Sequence, residues 1–110
     1  MATVQGSFAS DVIDVASAGT AVAIGASTLR IITIIFINPP TNTGLVYIGN
    51  KTGDVSATTG FPLGVGDTLE WSFVNRVTGE GSIGANEIFV DAAVSGNDVA
   101  WAAHTALAAR

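Results

Sequence analysis

Apolar residues in this chain recur mostly at every second position, in runs of four to eight bounded by glycine, proline, asparagine and aspartate. In "TLEWSFV" (Thr68–Val74), Leu69, Trp71 and Phe73 alternate with Thr68, Glu70 and Ser72. Successive strand residues point to opposite faces, so this segment predicts a strand with one buried and one wet face. The same reading predicts strands over Thr3–Phe8, Asp11–Ser17, Ala21–Gly25, Leu29–Asn38, Leu45–Gly49, Val55–Thr58, Glu87–Val94 and Val99–His104. The run Leu29–Asn38 is rich in β-branched residues and stops at Asn38-Pro39-Pro40, because proline has no amide hydrogen for a ladder. The segment "TGFPLGVGD" reads as loop, and Asn75–Asn86 as a glycine-rich excursion.

Short strands separated by turn signals, without a 3.6-residue period, predict an all-β fold: a single antiparallel β-sandwich or jelly roll of seven or eight strands over residues 1–110. Residues 1–10 and 104–110 are expected to form an N-terminal and a C-terminal arm.

One segment does not fit a half-buried strand. Strict alternation puts Arg30, Ile32, Ile34 and Phe36 on one face of the Leu29–Asn38 run and Ile31, Thr33, Ile35 and Ile37 on the other. Both faces are then apolar, whereas a two-layer sandwich offers each strand only one core-facing side. Burying each of these isoleucines contributes roughly 1.5–3 kcal/mol, so the second face needs a cover. Either another subunit or partner supplies it, or a loop such as Asn75–Asn86 folds across it. The interface residues expected on the first reading are Ile31, Ile35 and Ile37, with Asn75, Arg76, Glu80 and Ile83 from the glycine-rich excursion.

Composition points the same way. Charged residues make up 12% of the 110, about half the share of an ordinary soluble domain, and this sparse coat is what a surface hidden against partners needs. The net charge of −5, with only Arg30, Lys51, Arg76 and Arg110 as cations, argues against a nucleic-acid partner. The longest apolar run, Ile31–Ile37, is far shorter than a membrane span, and the first residues lack the basic and apolar regions of a secretory signal.

Candidate chemistry is sparse. There is no cysteine and one histidine, His104, so thiolate chemistry is absent and a zinc site is short of ligands. No Gly-x-Ser-x-Gly elbow accompanies His104, and no enzymatic activity or cofactor is expected. Asp67 reads as a turn residue bonding nearby amides. Gly96-Asn97-Asp98 is a remote candidate for calcium, and Asn50-Lys51-Thr52 matches a glycosylation sequon. "GEGSIGAN" lacks the lysine of a phosphate-binding loop. Trp71, Trp101, Phe61 and Tyr47 could stack on a sugar, although alternation assigns Trp71 to the core with Leu69 and Phe73.

The stretch "VYIGNKTGDVSATTGFPLGVGDTLEW", preceded by Ile34–Asn38 and followed by "IFVDAAVSGNDVAW" (Ile88–Trp101), resembles a pattern of small bacteriophage structural proteins. There a strand ending in asparagine leads to V-Y-I/V-G, then a Thr/Ser-rich link, G-F/I-P-L and G-D/E-S/T-L. The matching pieces are Ile34–Asn38, Val46–Gly49, Thr58–Leu63 and Gly66–Leu69, so the likeness spans about Leu29 to Trp101 and leaves the first 28 residues unmatched. The chain departs from the pattern at Ile35 and Ile37, where polar residues are usual, and in Asn75–Asn86, which reads as an insertion. The resemblance implies a virion component assembled in the host cytoplasm. The expected role is a capsid decoration (cement) protein, homotrimeric and seated on the major capsid protein. A neck or tail accessory protein, or a tail-tip module that binds carbohydrate or a receptor, is the alternative.

Overall fold

The computed structural model describes residues 6–50, 55–73 and 81–106. Their strands are β1 (Gly6–Val15), β2 (Val22–Ala23), β3 (Arg30–Ile37), β4 (Val46–Gly49), β5 (Phe61–Leu63), β6 (Thr68–Ser72), β7 (Ile83–Gly84), β8 (Phe89–Ala92) and β9 (Asn97–Ala106), with one 3-10 turn at Ala85–Glu87. They form two antiparallel sheets, one in the order β1-β9-β3-β6 with β7 also on β3, the other β2-β8-β4-β5.

The pairing is nested: first strand with last, β2 with β8, β3 with β6, β4 with β5. The chain is thus one long hairpin wound over itself into two layers, which is the jelly-roll form of the β-sandwich. The fold class read from the sequence is the one observed.

The core lies between the layers and is built from alternate residues of each strand. Val15, Ile34, Phe36, Val99, Trp101 and Ala103 enter from one sheet, and Val46, Ile48, Leu63, Val90 and Ala92 from the other. Leu69, Trp71 and Phe73 are partly buried against it, as their alternation predicted. Phe36 and Phe73 meet the Trp71 ring edge to face, with centroids 5.8 and 6.2 Å away.

Several boundaries differ from those expected. Thr3–Phe8 and Asp11–Ser17 are not two strands, since Gly6–Val15 is continuous and pairs with β9 over its whole length. Residues 6–10 and 104–106 are therefore paired strand and not free arms. Val55–Thr58 is not a strand, because the Ser56 hydroxyl turns the chain by accepting from the amides of Thr58 and Thr59. Conversely "TGFPLGVGD" contains β5, whose Pro62 is tolerated because β5 is an edge strand. Within the glycine-rich excursion, Ile83–Gly84 forms β7 against Arg30–Ile31.

One end of the sandwich is tied by three buried asparagines. The Asn38 amide donates to the carbonyls of Gly44 (3.0 Å) and Leu63 (2.9 Å). Asn42 donates to Asn38 Oδ1 and to the Asp98 carbonyl, both at 2.6 Å, and accepts from the Asp98 amide. Asn97 Oδ1 accepts from the amides of Thr43 and Gly44. The loop 38–45 is thus fastened to the β5–β6 and β8–β9 turns by groups that would be costly to leave unpaired. Asp91 plays the same part for the β1–β2 loop. It is fully buried and its Oδ1 accepts from the Gly19 amide, where φ is +94° and glycine is strain-free.

Candidate interaction surface

The sheet β1-β9-β3-β6 turns one side to the core and the other outward, and strand register fixes which residues share the outer side. Three rows cross it: Phe8–His104–Thr33–Ser72, Ser10–Ala102–Ile35–Glu70 and Val12–Ala100–Ile37–Thr68. Beyond them, Ala106 and Arg30 lie at one end and Asp14 and Asp98 at the other.

This outer face is unusually apolar for solvent. Phe8 is 86% exposed, Val12 57% and Ile35 47%. Ile37, Ala100 and Ala102 fill the space between them, and a shallow depression of about 150 Å³ opens beside Phe8, Thr33, Ile35 and His104. Among the described residues no segment lies across these three exposed side chains, and residues 75–80 of the covering loop expected on the alternative reading lie outside them.

Strict alternation along β3 breaks at one place. The β3–β9 register slips between Ile31 and Thr33, so Ile32 is an extra residue in β3. A bulge of this kind reverses the facing of everything on one side of it. Ile31 therefore points into the chain's own core, 0% exposed, together with Ile34 and Phe36, and not outward with Ile35 and Ile37. Ile83 pairs opposite Ile31 and is likewise packed against the core, so it too leaves the expected interface. Ile35 and Ile37 do lie on the outer face. Asn75, Arg76 and Glu80 lie outside the described residues.

His104 sits in the outer row between Phe8 and Thr33, with its ring 5.8 Å from that of Phe8 and tilted 37°. Asp67 accepts from the Gly64 amide, as expected of a turn residue. In Gly96-Asn97-Asp98, the asparagine side chain and the Asp98 backbone are committed to the tie with residues 42–44. No group of three or more His, Asp or Glu side chains able to hold a metal occurs among the described residues. Lys51 and Thr52 of the sequon lie outside them. Of the residues that could stack on a sugar, Trp101 is only 5% exposed and Trp71 is partly buried, whereas Phe61 is 49% exposed. A cleft of about 470 Å³ between the sheet edges is lined by Ile48, Gly60, Trp71 and Phe73, with Asn50 and Ser72 as its polar side chains and no titratable group.

The sequence reading missed Asn38, Asn42, Asn97 and Asp91, all buried and polar, because such residues are common in exposed turns. It also missed Phe8 and Val12 as members of the apolar face. Their alternation with Ala9, Asp11 and Ile13 was the signal available. In comparisons with known proteins, no family model matches the chain, and no curated protein or solved structure matches it either.

Proposed function

We propose that this protein is a structural component of a bacteriophage virion, a capsid decoration protein that associates with itself and seats on the major capsid protein. It acts by binding and performs no catalysis. The observation that carries the proposal is the outer face of β1-β9-β3-β6, where Phe8, Val12 and Ile35 project from a well-packed domain that has its own complete core. Such a patch on a small domain marks a surface covered by another protein. Low charge over the whole chain fits the same role.

The phage part of the proposal rests on the resemblance of Ile34–Asn38, Val46–Gly49, Thr58–Leu63 and Gly66–Leu69 to the structural-protein pattern. Jelly rolls serve viral shells, lectins and enzymes alike, so the fold is in keeping with this role without selecting it. Many shallow contacts, repeated by symmetry over a shell, add to a firm hold where each alone is weak.

The test is co-sedimentation with empty shells of the phage that encodes the chain. The native protein should pellet with the shells in a fixed ratio, and the Ile35→Asp, Ile37→Asp double variant, which cannot associate with itself through the outer face, should stay in the supernatant. A native protein that never pellets with shells would overturn the role, and a double variant that decorates normally would overturn the face.

A further inference from the structure

The charges framing the apolar face are sorted by end. Asp14 and Asp98 stand directly opposite each other in the β1–β9 ladder, and like charges so placed repel. Arg30 lies at the far end of the same face, opposite Ala106, and among the described residues its guanidinium donates to neutral groups, the Ser82 hydroxyl (3.2 Å) and carbonyl (3.1 Å). Among the described residues, the face thus carries a cation hydrogen-bonded to no carboxylate at one end and two juxtaposed carboxylates at the other.

We propose that this face binds the same face of a second copy across a two-fold axis that lies in the interface and crosses the strands along the row Ser10–Ala102–Ile35–Glu70. This inference rests on the proposed reading of the face as a protein contact and names the occupant. The axis exchanges the two ends of the face. Phe8 of one copy lands on Val12 of the other, Ile35 meets Ile35, and Arg30 comes over the end that holds Asp98 and Asp14. Phe8, Val12 and Ile35 thereby each gain an apolar partner, and Arg30 comes within about one strand spacing of Asp98. A two-fold axis along the strands would instead set Arg30 over Arg30's own end and leave the aspartates facing each other.

The size is adequate. Three rows of four residues, with two more at each end, cover roughly 500 Å² per copy, or about 1,000 Å² in the pair, near the lower bound for a specific interface. Ala100 and Ala102, small and central, permit close approach of the two sheets. The trimer expected from the sequence requires head-to-tail contacts between different patches, whereas this face is complementary to itself. One feature opposes the contact: Glu70 on the central row approaches Glu70 of the second copy at the rim.

The experiment is a charge swap read by sedimentation equilibrium on the full chain. Asp98→Arg and Arg30→Glu should each weaken the dimer by about tenfold or more, since each sets like charges against each other twice. An equimolar mixture of the two variants should dimerise more tightly than either alone, because mixing restores one native pair and creates one reversed pair. Glu70→Gln should tighten the native dimer. Far-UV circular dichroism confirms that each variant is folded. A mixture no tighter than its components, or a native protein that sediments as a monomer or a trimer, would overturn the two-fold contact. Shell pelleting separates the two proposals. A monomer that decorates shells removes the dimer and keeps the virion role, and a dimer that ignores shells does the reverse.

Discussion

Ile31 and Ile35 are chemically identical and four residues apart, yet the structure gives them opposite tasks. Ile31 is wholly enclosed in the core, while Ile35 is nearly half exposed. Ile31→Ala should therefore cost about 2–5 kcal/mol of unfolding free energy, from lost burial and the cavity left behind. Ile35→Ala should cost less than about 1 kcal/mol in the dilute protein. Urea unfolding of the two variants measures the difference directly, and equal losses would mean that the bulge at Ile32 is misplaced. The same scale explains what the sequence hid. Asn38, Asn42 and Asn97 look like ordinary turn residues, and only the partners they find 4 to 56 positions away make them the fastening of one end of the sandwich.

Among the elements, β3 and β6 were readable because apolar and polar residues alternate cleanly in β6 and β-branched residues crowd β3. What could not be read was the slip within β3, since a bulge is a feature of pairing and leaves no mark on a single strand. The short strands β5 and β7 were masked by Gly60, Pro62 and Gly84, residues that ordinarily mark turns. β1 raises a separate issue as the ten-residue edge of its sheet among the described residues, with no described strand on its far side. Edges of this length invite pairing with other chains. Here the Asp11 carboxylate accepts a hydrogen bond from the Val12 amide at 2.8 Å, which occupies that donor and places a negative charge on the edge. Asp11→Ala should leave urea stability within about 1 kcal/mol, the usual range for surface changes. It should shorten the lag before aggregation, followed by light scattering at high concentration. An unchanged lag would show that this carboxylate does not guard the edge.

At the scale of the whole molecule, the nested pairing of eight strands gives each sheet one core-facing side and leaves the other to solvent. The sequence announced that some surface was too apolar for solvent, through its sparse charge and the doubly apolar run at residues 29–38. It could not say which surface, because that depends on β9 arriving between β1 and β3 from the far end of the chain. Their arrival sets Phe8, Val12 and Ile35 side by side on one face. On the proposed function, another polypeptide shields that face in the working state. Hydroxyl-radical footprinting at low concentration, and again in the assembled protein, reads this residue by residue. Phe8 and Val12 should be oxidised readily in the dilute chain and become several-fold protected on assembly, while Leu45 and Val65, exposed in the loop 38–45 and the β5–β6 turn, keep their reactivity in the dimer. If Phe8 and Val12 remain as reactive in the assembled state as in the dilute one, the outer face is not the contact.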